Sequence, residues 1–358
     1  MGGAVASGGW IQSGGHGFLA PRFGLGVDNA TQFTIVTSSG SHIEANAYSH
    51  PDLFWASRGG GGGTFGVVTS VTYKTHDSLP VSLVTVFANL TSPAMARSIV
   101  SGYLRIQPSY VAPNVSMEEP GAVVESFFEE CDQRYGLSGR SIQVMSLVGM
   151  NMEIVTRLLP RRVMDSDYAK IAEALVALPG GAAVASVSGG AVSEVNPDSA
   201  GLNPAWRDTA SLISIGENWA DGSNGDEIKQ VQETLRNRSA LLESLSPDAG
   251  TYFNEASLYE PNPRHVFLGS HYDKLLSIKQ IYDPEELFIV AAGVGWQILT
   301  PLYGKGRSQR TLGDDHKSFP AIRVPTGSRE RAFQWQDFLP IPSAKWRIVN
   351  LKCDSSEH

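Results

Sequence analysis

Several large protein classes are excluded by what this chain lacks. It has only two cysteines, Cys131 and Cys353, in 358 residues, too few for a disulfide framework or a cysteine-ligated zinc site. No metal site is expected. No apolar run approaches the roughly 20 residues that span a bilayer, so no membrane span is expected. Charged residues make up 18% and leave a net charge of −8. Without a basic excess, nucleic-acid binding is not expected as a main role. Met1 is followed by Gly2-Gly3-Ala4-Val5, with no basic stretch and no cleavage pattern, so no signal peptide is expected. Sequons at Asn29, Asn89, Asn114 and Asn237 leave a secretory route open.

What is present is a globular composition, 42% hydrophobic, in a chain long enough for two domains with their own cores. Two glycine-dense segments stand near its start, residues 8–17 and 53–68. Their glycines are interleaved with Trp10, Ile11, Phe54, Trp55 and Phe65, which need burial, so neither reads as a linker. Glycine permits positive φ and close approach of a ligand or another backbone. The residues therefore admit two readings: a main chain wrapped around something flat or anionic, or a set of tight turns in a β-rich domain.

Familiar phosphate loops do not fit. Gly59–Gly63 leads into Thr64-Phe65-Gly66, where a Walker loop needs Gly-Lys-Ser or Gly-Lys-Thr. After Gly66 comes a β-branched run, Val67–Lys74, that reads as a strand. A Rossmann fingerprint would open a helix there.

The order of neighbouring elements is more specific. Gly14-Gly15-His16-Gly17 precedes Phe23-Gly24-Leu25-Gly26-Val27-Asp28-Asn29, then Val36-Thr37-Ser38-Ser39-Gly40, then the segment from Asp52 to Thr69. Farther on stand Thr251-Tyr252-Phe253-Asn254-Glu255, Tyr272-Asp273-Lys274-Leu275, Ile278-Lys279, Asp283-Pro284 and Phe288. This series resembles the berberine-bridge type of FAD-linked oxidoreductase, in the vanillyl-alcohol-oxidase superfamily with its PCMH-type FAD-binding domain. The wording is that of fungal secondary metabolism, alkaloid pathways included. The likeness covers roughly residues 2–297, strong at both ends and loose between them.

The resemblance implies an α+β fold: the C-terminal half of a PCMH-type FAD-binding domain, plus an α+β substrate domain with an antiparallel sheet and covering helices. The expected division is 1–77 for the partial FAD-binding domain, 78–250 for the substrate domain, 251–297 for a segment packing back on the FAD domain, and 298–358 for an atypical tail. The likeness starts within the family's flavin domain, so the pyrophosphate loop and flavin-linking histidine are expected to be missing. The position of a second flavin-linking cysteine in many relatives is Gly2 here.

Between these blocks, residues 80–90 alternate like a half-buried strand, and 141–149 read as another. Ser92-Pro93 supplies an N-cap and a first-turn proline. Ser166 is expected to cap a helix bearing Tyr168, Ile171, Ala172 and Leu175. Asp226 is expected to cap one bearing Ile228, Val231, Leu235, Leu242 and Leu245. The helix around Tyr272–Ile281, with Lys279, reads as structural.

The implied activity is oxidation of a C–H bond beside oxygen or nitrogen in a small alcohol, amine, alkaloid or polyketide-like molecule. FAD takes the hydride at N5, and O2 is the electron acceptor. Catalytic candidates are Glu255, as a base if burial raises its pKa, and Tyr252. Cofactor candidates are Gly14, Gly15, His16, Gly17, Gly66, Val67 and Asn254. His271 reads as a flavin neighbour or a satisfied structural histidine. Asp28 reads as a turn cap, and Arg58 as a phosphate partner or a structural salt bridge. Competing readings are a non-catalytic remnant without the pyrophosphate loop, and a ligand-binding module without redox chemistry.

Overall fold

A β-branched run, a Ser-Gly turn and a second short apolar strand build the first sheet. In the computed structural model, which describes residues 6–77, 92–106, 126, 127, 129–131, 133, 134, 151–186, 189–257 and 260–296, β1 (Ala30–Val36) turns through Gly40 into β2 (His42–Asn46). Both β2 and β3 (Val67–Tyr73) run antiparallel to β1, giving the order β2-β1-β3. Phe33, Ile35 and Ala45 are fully buried on one face. There they meet Leu53, Phe54, Trp55 and Ala56 of α1 (Pro51–Ser57), a helix opened by a first-turn proline. β3 is an edge: no further strand pairs with it among the described residues, and Val67 and Tyr73 are about half exposed.

The second sheet is antiparallel in the order β4-β6-β5, built from β4 (Asn151–Pro160), β5 (Ala183–Ala185) and β6 (Thr209–Trp219). Strand periodicity gives it two apolar faces. On one, Val155, Leu159, Ile213 and Ile215 pack with α2 (Pro93–Ile106), α3 (Arg161–Ser166), α4 (Tyr168–Ala177) and α5 (Gly225–Leu245) through Leu104, Met164, Ile171, Leu175, Leu235 and Leu242. On the other, Leu158 and Leu212 pack with Leu25, Val27, Leu202, Trp206 and Tyr252.

Ser92 caps α2 as expected, its hydroxyl accepting from the Met95 amide at 3.2 Å. The other two caps differ from expectation. Asp167, not Ser166, caps α4 by accepting from the Lys170 amide at 2.9 Å; Ser166 ends α3 and donates to the Val163 carbonyl. Asn224, not Asp226, caps α5, because its amide oxygen takes the amides of Asp226 and Glu227. The Glu227 carboxylate answers on the Asn224 amide, closing a reciprocal capping box.

The chain then returns to the first sheet. Val266, Phe267 and Leu268, with Tyr272, Leu275 and Ile278 of α6 (Tyr272–Tyr282), join the core of Phe33, Ile35, Leu53 and Phe65. The buried Lys279 ammonium closes this corner, donating to Thr64 O at 2.9 Å, Asp283 Oδ2 at 2.7 Å and Phe288 O at 2.6 Å. Burial alone would raise the Asp283 carboxyl. The bonds from Lys279 and from the Phe288 and Leu287 amides override that and hold it below its ordinary value.

The strand readings at 80–90 and 141–149, the sequons at Asn89 and Asn114, Cys353 and the tail beyond residue 296 lie outside the described residues. No helix among the described residues is long and apolar enough to cross a membrane.

The two caps make a direct prediction. Asn224→Ala and Asp167→Ala should each cost about 1 kcal/mol. Ser166→Ala and Asp226→Ala should each cost less, read as unfolding midpoints in denaturant titrations of the four variants.

Candidate active site

Segment 11–17 is built without room for side chains at its centre. Gly14 and Gly15 take φ of 127° and 78°. A Cβ on Gly15 would lie 3.0 Å from Gly26 Cα and 3.1 Å from Trp10. Their carbonyls accept from the amides of Val27 (3.1 Å) and Gly26 (2.8 Å). The Trp10 indole donates to the His16 carbonyl at 3.0 Å. The two glycine-rich segments also meet directly, since the Gln12 carbonyl accepts from the amides of both Gly59 and Gly61 at 3.0 Å.

His16 is thereby turned inward. Its ring stacks at 5.9 Å from Trp206 and meets the edge of Tyr252 at 4.6 Å. Its Nε2 stands 3.5 Å from Glu255 Oε1, while Nδ1 is buried without a partner among the described residues. Tyr252, Asn254 and Glu255 arrive on a short turn, Phe253–Glu255, after β4 has fixed its start: the Tyr252 amide donates to Thr156 Oγ1 at 3.1 Å. Asn254 Nδ2 donates to Tyr252 Oη at 2.8 Å and reaches Gly9 O at 3.3 Å. Tyr252 is buried, whereas the Glu255 side chain is 20% exposed and so can be reached by a ligand.

The cluster is suited to a flat heteroaromatic group. His16 Nδ1 and Ser13 Oγ are buried polar atoms with no partner among the described residues, an arrangement that calls for an outside donor or acceptor. Gly8, Gly9 and Gly17 beside them are partly or fully exposed, and a Cβ on Gly17 would meet nothing within 4 Å. A ring edged by N–H and C=O groups fits this donor set. Among the described residues, no group of three His, Cys, Asp or Glu side chains could hold a metal ion.

No family model matches the chain. The FAD-linked oxidoreductase patO of Aspergillus clavatus is 30% identical over 365 positions, which cover 88% of this chain and 63% of that protein. Among solved structures, the VAO-type flavoprotein MtVAO713 from Myceliophthora thermophila C1 superposes with a TM-score of 0.66 at 25% identity, over 82% of this chain and 61% of that one. A variant of berberine bridge enzyme superposes with a TM-score of 0.62 at 16% identity, over 82% and 71%. This chain belongs to the VAO-type FAD-linked oxidoreductases, with a fold it shares with berberine bridge enzyme. It spans less than two thirds of the length of the curated relatives it matches.

For this FAD-linked oxidoreductase chain, the fold brings His16, Tyr252, Asn254 and Glu255 together with Gly14 and Gly15. Gly66 and Val67 lie on the sheet instead. A Cβ on Gly66 would sit 2.5 Å from Val36 O, and Val67 opens β3 opposite Val36. His271 is a satisfied histidine, bonded to Leu202 O and Asp198 Oδ1 at 2.9 and 3.0 Å. Asp28 caps its turn through the Leu25 amide and is also gripped by Arg207. Arg58 makes no ion pair among the described residues. It donates to the Ser199 carbonyl and lies 4.3 Å over the Phe54 ring, and burial lowers its pKa.

Trp206 and Arg207 were not singled out from the sequence. Asn203-Pro204 does announce their turn: Asn203 Oδ1 caps it through the Ala205 amide at 3.0 Å. Nothing local indicates what the turn touches.

Burial, reinforced by the Glu255 charge, pushes the Tyr252 hydroxyl up to about 12, against the lowering effect of its bonds with Asn254 and Gly15. Its unfolded value is near 10. The unfolded chain therefore loses this proton first, and stability falls as pH rises from about 10 to about 12. Tyr282, raised to about 12 by burial and by Asp52, adds a second such group. Tyr252→Phe should flatten the alkaline loss of stability and remove one late-titrating tyrosine, followed by tyrosinate ultraviolet absorbance.

Proposed function

We propose that this chain carries the substrate-facing part of an FAD-dependent oxidase that removes hydride from a C–H bond beside oxygen or nitrogen in a small alcohol, amine, alkaloid or polyketide-like molecule. The carrying observation is the convergence of Glu255, His16, Tyr252 and Asn254 at the glycine segments, from positions more than 230 residues apart in sequence. In this reading residues 1–77 and 251–297 form the flavin side and 78–250 the substrate side.

Bound FAD would supply the two-electron hydride acceptor, with O2 taking those electrons onward to hydrogen peroxide. Gly14, Gly15, His16, Gly17 and Asn254 would hold it. Glu255 is the residue assigned to take the substrate proton, since its carboxylate is partly open and stands 3.5 Å from His16 Nε2. Tyr252, with its hydroxyl raised to about 12, keeps its proton near neutrality and serves as a hydrogen-bonding group rather than a base. The pairing of Trp206 and Tyr252 around His16 shields that ring from water.

Two measurements test this. Purified protein should show visible flavin absorption that passes into the supernatant on acid precipitation. A colourless protein that stays colourless with added FAD would sink the reading. With a turnover assay in hand, Glu255→Gln should lower turnover by about 10²–10⁴-fold, the usual worth of a general base, while retaining flavin colour.

A further inference from the structure

One short turn, Pro204–Asp208, touches the candidate site twice. Trp206 covers the His16 ring. Arg207, its neighbour, grips Asp28 with two bonds, Nη2 to Oδ1 at 2.6 Å and Nη1 to Oδ2 at 2.8 Å. Both side chains of this pair are more than nine-tenths buried. Arg207 Nη1 also reaches Val192 O at 3.2 Å, and Asp28 Oδ2 takes the Leu25 amide at 2.9 Å. Asp28 lies in the helical turn Gly26–Asn29. That turn's first two amides hold the carbonyls of Gly15 and Gly14, the residues immediately before His16.

We propose that Arg207 and Asp28 are positioning residues for His16. The pair ties the turn above the imidazole (Trp206) to the turn that anchors the loop carrying it (Gly26–Asn29). This rests on the reading of His16 as part of the flavin-side cluster. The physical reason is one of geometry rather than net stability. A buried ion pair contributes little net stability against a well-packed apolar alternative. A two-bond guanidinium–carboxylate pair, however, fixes both distance and orientation. Here it does so between segments 179 positions apart, each in contact with the same histidine or its loop. Arg58, the other guanidinium near this pair, donates to Ser199 and lies over Phe54; it feels the Asp28 charge but makes no ion pair with it.

The test reads His16 directly, without flavin. Histidine-labelled protein is examined by NMR, the His16 signal being identified by its loss in His16→Asn. Asp28→Asn and Arg207→Lys should shift the His16 ring signals away from their wild-type positions and weaken binding in a titration with FAD. Glu217→Gln breaks the Arg238–Glu217 pair of the second sheet; it should lower the unfolding midpoint yet leave the His16 signal in place. A wild-type His16 signal in folded Asp28→Asn and Arg207→Lys would overturn the proposal. Should both fail to fold, Asp28→Glu keeps both charges with an arm one methylene longer and carries the same two outcomes. If wild-type protein binds no FAD, the flavin reading fails, while the His16 signal still decides the role of the pair.

Discussion

The site depends on the return of residues 264–294 to the first sheet. That docking, together with the second sheet, holds the Tyr252–Glu255 turn near His16. The apolar contribution comes from Val266, Phe267, Leu268, Tyr272, Leu275 and Ile278 against Phe33, Ile35, Leu53 and Phe65. At about 1.5–3 kcal/mol for each fully buried large side chain, this is ample to offset the closure of a long loop, whose cost grows only logarithmically with length. Apolar burial lacks direction, and the Lys279 ammonium supplies it. By joining Thr64, Asp283 and Phe288, it sets the end of α6 against the second glycine segment. That segment in turn rests on the Gln12 carbonyl, four residues before His16.

The second sheet contributes through its own two-sidedness. One face is closed by helices. The other presents Leu158 and Leu212 to Leu25, Val27 and Trp206. Between those leucine positions and the site runs Thr156, whose hydroxyl orients the Tyr252 amide. The sheet is thus a scaffold on which the Tyr252–Glu255 turn is hung at a fixed height. Sites carried on regular elements in this way hold their geometry better than sites carried on loops alone.

Much of the fold is legible in local chemistry. β1, β2, β3, α2 and α6 follow from β-branched runs, a Ser-Pro start or a helical apolar period. Two caps fall one or two positions from the expected residue, because Ser166-Asp167 and Asn224–Asp226 each offer more than one competent side chain and only the final backbone geometry selects one. The site is legible in a different sense. Glycines alone left turns and ligand cradles equally open; the ordered resemblance raised His16, Tyr252, Asn254 and Glu255 together. Trp206, Arg207 and the pairing of Asp28 were beyond reach, since their meaning lies in partners far away in sequence. Gly66 shows the same limit. Its lack of a side chain is explained by the approach of Val36 on β1, a tertiary fact that a glycine count cannot convey.

The distance in sequence between His16 and Glu255 has a consequence for how the protein is made. At synthesis rates of roughly 5–20 residues per second, His16 leaves the ribosome roughly 10–50 s before Glu255 is even joined to the chain. Until then the Tyr252–Glu255 turn is not there to meet His16. Closure of the cluster therefore waits on the arrival of that turn.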